Sequence, residues 1–167
     1  MPLPPLRFAP ILKSRTWGGR GLSQLGKTSH ADGPASLHSG SPSGSDCPYG
    51  ESWEVADLAP PVEEGVSRVA GGPFDGQFLT ELVRGHRKAL LGRAVATRDD
   101  RFPLLVKYLD AGEPLSVQVH PTPRYAAAHP GAHAKNEAWV VLHADPGAVI
   151  FRGLRPDVRP EAFRAAI

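Results

Sequence analysis

A serine, a glutamine and a histidine alternate with two valines at residues 116–120, and these polar side chains could do chemistry together. In a β-strand, successive side chains point to opposite faces, so Ser116, Gln118 and His120 would share one face and the valines the other. The valines suit a hydrophobic core. The opposite face would then present a hydroxyl, an amide oxygen and an imidazole in a row.

A second segment, residues 135–139, offers the carboxylate that such a site needs. The same alternation places Lys135 and Glu137 on one face. If the two segments pair or face one another, Gln118, His120 and Glu137 could converge on one ion. An imidazole with oxygen ligands suits Zn²⁺ or a similar divalent metal. From spacing alone, the alternative stays open that these are ordinary solvated or hydrogen-bonded strand side chains.

The other histidines are weaker candidates for metal ligands. His129 and His133 stand four residues apart, the spacing of two ligands on one helix face, but Pro130 and Gly131 between them would break such a helix. The rest are predicted to be solvated, on a helix surface or in a flexible loop: His30, His38, His86 and His143.

Short strands and tight turns must position these side chains. Helices are predicted at 78–91, where Gly85 should split the element in two and Gly92 should end it, at 125–128 as at most one turn, and from residue 161 onward. This pattern predicts a mainly β protein, a jelly-roll-type β-sandwich with a small helical insertion. The predicted strands lie at residues 8–13, 50–55, 66–69, 103–109, 115–120, 137–142 and 148–151.

One stretch differs in composition from the rest of the chain. Between residues 31 and 50, serine, glycine and proline fill 12 of the 20 positions. Such a segment cannot bury enough apolar surface to order itself, so residues 28–49 are predicted to form a flexible loop. What precedes the loop is too short for a domain, and the expectation is a single domain over residues 1–167.

The composition excludes several classes of function. A net charge of +2 without a basic run argues against nucleic-acid binding. No segment approaches the ~20 apolar residues of a membrane helix, and no secretory signal is visible at the start. The single cysteine, Cys47, cannot form an internal disulfide, which favours a reducing compartment and hence the cytoplasm.

Ordered blocks along almost the whole chain resemble the type I mannose-6-phosphate isomerases, a family of cupins. The signature of that family is similar to Leu115-Ser116-Val117-Gln118-Val119-His120-Pro121. Only the serine- and glycine-rich loop lacks a counterpart. Further blocks follow in the family's order: Phe8-Ala9-Pro10, Thr16-Trp17-Gly18-Gly19-Arg20, Gly50-Glu51-Ser52-Trp53-Glu54-Val55, Phe102-Pro103-Leu104-Leu105-Val106-Lys107 and Lys135-Asn136-Glu137-Ala138-Trp139.

The resemblance implies a function and assigns residues to it. It implies a zinc-dependent aldose–ketose isomerase that interconverts mannose 6-phosphate and fructose 6-phosphate through a cis-enediol, with one Zn²⁺ per chain. Three residues take the positions of zinc ligands, namely Gln118, His120 and Glu137. Lys135 takes an active-site position and is the candidate catalytic residue. Lys107 and Ser116 take positions in the substrate cleft, where a cation and a hydroxyl suit a phosphate dianion.

Members of the family that this chain resembles are about twice as long as this chain. Their fourth zinc ligand, a histidine, and an arginine proposed to meet the phosphate lie in later segments, so the resemblance implies a truncated N-terminal half whose own activity the sequence leaves open. Unpaired sheet edges would then permit self-association. The main alternative is a non-catalytic cupin that binds metal or sugar phosphate. A metal-dependent oxygenase is disfavoured, because Gln118 occupies the place of that class's first histidine.

Overall fold

The computed structural model describes residues 3–27, 49–58, 65–94 and 100–166. The chain divides into two compact units, Met1–Val117 and Gln118–Ile167. In the described residues the elements follow in the order β1 (Ile11–Ser14), a 3-10 helix η1 (Gly21–Leu25), β2 (Tyr49–Val55), α1 (Leu79–Leu91), β3 (Val106–Leu109), α2 (Pro123–Ala128) and α3 (Pro160–Ala166). No described helix is long and apolar enough to cross a membrane.

The first unit is built on a three-stranded antiparallel sheet in the order β1-β2-β3. The central strand β2 pairs with β1 at Lys13 opposite Glu51 and with β3 at Lys107 opposite Trp53. These strands confirm the elements predicted at 8–13, 50–55 and 103–109. In place of the strand predicted at 66–69, Val66, Arg68 and Val69 form isolated bridges.

The helix α1 supplies much of the first unit's core. Its Leu79, Val83 and Leu91 form a buried cluster against partly buried residues that include Phe8 and Phe102. The predicted split near Gly85 corresponds to a kink between two helical segments, where His86 leaves helical geometry at φ −132°. Gly92 ends the helix as predicted, with its N–H donating to the Lys88 carbonyl.

A buried polar network joins the end of β2 to the start of α1. The Asp57 carboxylate accepts hydrogen bonds from the Thr80 hydroxyl, from Arg101 Nη1 at 2.9 Å and from the Phe102 N–H at 2.8 Å. Asp57 is 4% exposed. The Asp57 side chain therefore links three segments of the first unit: the end of β2, the start of α1 and residues 101–102.

The second unit contains two short helices and no strand among its described residues, 118–166. The strands predicted at 115–120, 137–142 and 148–151 are therefore wrong for this structure. A strand is stabilised by a hydrogen-bonded neighbour and by burial of one face. Here the apolar side chains of these segments are exposed, with Val117 at 90%, Val140 at 84% and Phe151 at 88%. Between the last two of these segments the chain makes a turn, in which the Ala148 N–H donates to the Asp145 carbonyl at 3.0 Å.

The architecture thus confirms an antiparallel sheet with a helical insertion and leaves the sandwich a prediction. Residues 28–48 of the predicted loop lie outside the described residues, while Tyr49 is already the first residue of β2. The single-domain interpretation also stays a prediction.

Candidate functional site

The second unit brings His120, Lys135 and Glu137 together. His120 Nε2 lies 2.7 Å from one Glu137 carboxylate oxygen, and Lys135 Nζ lies 2.5 Å from the other. The carboxylate is thus held between an imidazole and an ammonium. The three side chains are 29%, 24% and 45% exposed for His120, Glu137 and Lys135. The group is therefore assembled but open to solvent, as a site that must admit a ligand should be.

The two partners of Glu137 also set its charge. Hydrogen bonds from Lys135 and then from His120 stabilise the carboxylate, and together with the positive charge of Lys135 they lower the pKa of Glu137 to about 2. Glu137 is consequently anionic throughout the physiological pH range. An anionic carboxylate is the form that binds a divalent cation.

A compact reversal of the chain separates His120 from Glu137. Thr122 caps α2 by accepting from the Tyr125 N–H at 3.2 Å, and Pro123 starts the helix, where its missing N–H costs nothing. After α2 the His129 ring stacks on Tyr125 with a centroid distance of 3.8 Å. The Ala132 N–H then donates to the His129 carbonyl at 3.1 Å. His129 is thus engaged locally, as expected from the proline and glycine that follow it.

The other two predicted residues near this segment occupy irregular, exposed backbone. Ser116 and Gln118 are both exposed, and residues 115–120 form no strand on whose face they could align. They also fall on opposite sides of the boundary between the two units. The predicted convergence of His120 with Glu137 is thus observed, but it arises from a turn and not from paired strands.

The donor set at Glu137 fits two zinc ligands. Imidazole nitrogen and carboxylate oxygen both bind Zn²⁺ at about 2.0–2.2 Å, so two such ligands in tetrahedral geometry stand roughly 3.3 Å apart. The 2.7 Å contact between His120 and Glu137 would need to open only slightly. Within the part of the chain that the structure describes, no group of three or more His, Cys, Asp or Glu side chains could hold a metal ion. A further ligand of another type, such as the Gln118 amide, would have to join the pair.

Lys107, the predicted substrate-binding lysine, lies in the first unit and faces a buried carboxylate. Glu51 is 6% exposed and accepts from Trp53 Nε1 at 2.5 Å and from Arg15 Nε at 3.1 Å. Lys107 Nζ approaches the same carboxylate at 3.5 Å. Burial by itself raises the pKa of Glu51, but the hydrogen bonds from Trp53 and Arg15 and the charges of Lys107 and Arg15 outweigh it, so the pKa lies below its ordinary value.

The sequence reasoning did not single out Glu51 or Arg15. Strand alternation in the sequence places Glu51 and Trp53 on one face of β2, so the sequence contains part of the information that points to Glu51. The missing information was the register, which sets Lys107 opposite Trp53. Trp53 itself is 8% exposed and belongs to the buried core of the first unit.

Comparison with known proteins identifies the family. A model of the type I phosphomannose isomerase catalytic domain matches residues 6–140. Mannose-6-phosphate isomerase ManA of Bacillus subtilis is 36% identical over 158 residues, which cover 94% of this chain and 43% of that protein. A mannose-6-phosphate isomerase of Streptococcus mutans is 45% identical over 104 residues, 62% of this chain and 30% of that protein.

A solved structure agrees with these matches. The crystal structure of the mannose 6-phosphate isomerase from Bacillus subtilis superposes with a TM-score of 0.55 at 32% identity, over 74% of this chain and 32% of that one. This chain spans less than half the length of the curated relatives that it matches. Because the family model covers most of its residues, the chain belongs to the type I phosphomannose isomerase family.

Proposed function

We propose that this chain carries the zinc-binding and substrate-binding residues of an isomerase that interconverts mannose 6-phosphate and fructose 6-phosphate. The observation that carries the proposal is the contact of His120 with Glu137, at 2.7 Å, beside Lys135. Family membership supplies the reaction class.

Zinc is proposed as the cofactor, held by His120 Nε2, the Glu137 carboxylate and the Gln118 amide oxygen. When bound, zinc would polarise a sugar oxygen and stabilise the negative charge that develops on an enediol. The low pKa of Glu137, about 2, keeps that ligand anionic without metal. Zinc would therefore bind to Glu137 without first displacing a proton from its carboxylate.

Lys135 is proposed as the residue that acts on the substrate. Its ammonium is held 2.5 Å from Glu137, which fixes the end of an otherwise flexible side chain. A proton must move between C1 and C2 of the sugar, and an ammonium at that place could donate a hydrogen bond to the oxygen where charge appears. Lys107 and Ser116 are proposed to bind the substrate's phosphate.

The test is zinc content together with turnover of the purified chain. We expect about one zinc per chain after loading and dialysis, and conversion of mannose 6-phosphate to fructose 6-phosphate in a coupled assay. His120→Ala and Glu137→Gln should both lose zinc. The matched control is His143→Ala, because His143 forms a similar pair with Asp145 at 3.1 Å but is 83% exposed. A folded protein that neither binds zinc nor turns over substrate would overturn the proposal.

A second candidate function is a non-catalytic protein that binds metal or sugar phosphate. It is favoured by one observation: in the described residues the pair of His120 and Glu137 lacks a third His, Cys, Asp or Glu partner. Zinc retention without isomerisation in the same experiment would single out this candidate.

Three broader proposals accompany the function. A cupin jelly roll is proposed as the fold, supported by the antiparallel sheet and by the structural relative. A cytoplasmic setting is proposed from the single cysteine. Self-association is proposed from the exposed apolar segments of residues 137–142 and 148–151, which analytical ultracentrifugation would detect.

A further inference from the structure

The segment of residues 135–145 in the second unit is exposed along its whole length and belongs to no described helix or strand. Residues 135–144 form no hydrogen bond between their backbone and the backbone of another described residue. The centre of the segment is apolar, and exposed fractions between 49% and 84% are found for Trp139, Val140, Val141 and Leu142. Backbone groups and apolar side chains are therefore both accessible for pairing with another chain.

The ionisable side chains of this segment are arranged symmetrically about Val140. Lys135 and Asp145 lie five residues to either side of it, and Glu137 and His143 lie three residues to either side. In each of these two pairs, one member is a carboxylate and the other carries N–H donors. An antiparallel pairing of the segment with a second copy of itself, centred on Val140, would place Lys135 of each chain opposite Asp145 of the other. Glu137 would lie opposite His143 in the same way.

Contacts within one chain already order these side chains. Lys135 Nζ lies 2.5 Å from Glu137 Oε1, and His143 Nε2 lies 3.1 Å from Asp145 Oδ1. The members of each contact are two residues apart, so in a strand they would share one face. A second copy in the pairing centred on Val140 would set one contact against the other. Donor and carboxylate would then alternate both along each strand and between the two strands.

Neighbouring registers of the same pairing lack this complementarity. A shift by one residue would place Glu137 opposite an alanine or a leucine. A shift by two residues would place Glu137 opposite Asp145, which are two carboxylates, or Lys135 opposite His143, which both carry donors. A parallel pairing in register would place every charge opposite its own copy, and like charges directly opposite are destabilising. The charge pattern therefore favours an antiparallel pairing centred on Val140.

We propose that residues 135–145 pair as an antiparallel strand with the same residues of a second copy, around a two-fold axis at Val140. The second copy supplies the hydrogen-bonded neighbour that this segment lacks among the described residues. Around a two-fold axis each contact occurs twice. The interface belongs to the small class that buries less than about 1,200 Å² in total, so the dimer should form at micromolar concentrations. The inference rests on the self-association proposed above and not on the isomerase reaction.

The first experiment is analytical ultracentrifugation of the full chain across micromolar concentrations, which measures the dimerisation constant. Asp145→Lys should weaken dimerisation roughly 10-fold, because it sets two ammonium groups opposite each other at two symmetric places. The matched control is Asp157→Lys, which makes the same change of charge outside the segment, at a carboxylate 2.6 Å from Arg155, and should change the constant less than about 2-fold. Equal effects of the two substitutions would overturn the proposal, and so would a chain that is monomeric at all these concentrations.

The second experiment tests the register by disulfide cross-linking in a chain that carries Cys47→Ser. With Val140→Cys, the two thiols would lie opposite each other with Cα atoms about 5 Å apart, within the range that a disulfide spans. Leu142→Cys is the matched control, because its two thiols would lie roughly 13 Å apart along the strands. Oxidation should yield the covalent dimer at least about 10-fold faster for Val140→Cys than for Leu142→Cys. Equal rates would overturn the register.

The outcomes separate this inference from the proposed function, because neither measurement uses zinc or substrate. A dimer with the expected register in a chain that does not isomerise mannose 6-phosphate would support the inference while the proposed reaction fails. Turnover by a chain that stays monomeric would keep the reaction and overturn the inference. Val140 and Asp145 are exposed, so neither substitution removes a buried contact, and thermal unfolding shows whether each variant is folded. Should Asp145→Lys not fold, the cross-linking comparison decides by itself.

Discussion

At the scale of single residues, the two carboxylates of interest differ in what surrounds them. Glu137 lies between a lysine and a histidine at an open site, whereas Glu51 is buried beneath two cations. Both carboxylates have a lowered pKa. For Glu51, burial is the largest single contribution and raises the pKa, so its partners have to outweigh it. For Glu137, the largest contribution is the hydrogen bond from Lys135, which lowers the pKa. The lowered pKa of each carboxylate thus has a different physical cause, and a different substitution should reveal each cause.

The first prediction concerns the titration of Glu137. Its folded pKa of about 2 lies below the ordinary 4.5, so its contribution to stability is complete above pH 4.5 and is lost as the pH falls toward 2. Lys135→Met should raise the midpoint toward the ordinary value, because Lys135 is the largest cause of the shift. Carbon-13 NMR of labelled glutamate measures the midpoint. An unchanged midpoint in Lys135→Met would contradict this account.

The second prediction compares a buried ion pair with an exposed one. Asp57→Ala should lower the free energy of unfolding by about 3 kcal/mol, because it removes a buried carboxylate that accepts hydrogen bonds from Thr80, Arg101 and the Phe102 N–H. Arg87→Ala removes the pair with Asp100, whose side chains are 50% and 61% exposed, and should cost less than about 1 kcal/mol. Urea unfolding of both variants measures the difference. Equal losses would show that the Asp57 network is not structural.

At the scale of elements, glycine positions distinguish a turn from a helix interior. Gly19 sits against the Asp110 carboxylate, where an added Cβ would lie 2.5 Å from an oxygen. Asp110 in turn accepts from the Gly21 N–H at 2.5 Å and the Leu22 N–H at 3.2 Å, which satisfies the start of η1. Gly19 is thus needed for the close approach of the backbone to Asp110.

The third prediction compares a glycine inside α1 with the glycine that follows its last residue. Gly85 has open space at its Cβ position and no positive φ, so Gly85→Ala should raise the free energy of unfolding by about 0.5–1 kcal/mol through helix propensity and reduced unfolded-state entropy. Gly92 ends the helix at φ +57°, so Gly92→Ala should be destabilising. Thermal unfolding distinguishes the two signs. Stabilisation by both substitutions would contradict the assigned end of α1.

At the scale of the whole molecule, burial is confined to one of the two units. The buried residues, among them Leu79, Leu82 and Val83, belong to Met1–Val117. Within the described residues of Gln118–Ile167 none is buried. The metal candidates lie in this second unit, so their geometry rests on local hydrogen bonds and not on a core.

The fourth prediction follows from that difference. Backbone amides in residues 118–166 should exchange with solvent much faster than those of β2 and α1, because local opening exposes little apolar surface there. Hydrogen exchange followed by mass spectrometry measures both regions in one sample. Zinc should slow exchange around His120 and Glu137 if it binds them. Equal protection of the two regions without zinc would contradict the burial pattern.

The sequence by itself determined the family, the central strand at 50–55, the helix at 78–91 and the identity of the residues that meet at Glu137. These follow from residue types and local periodicity, which the chain carries at every position. The strands at 115–120, 137–142 and 148–151 were wrong because alternation indicates which face could be buried, not whether anything covers it. Tertiary structure alone decided the Glu51 cluster with Arg15 and Lys107, because strand register joins residues that are 36 and 56 positions apart. Long-range pairing of that kind has no local signal, because the residues that it joins lie far apart in the chain.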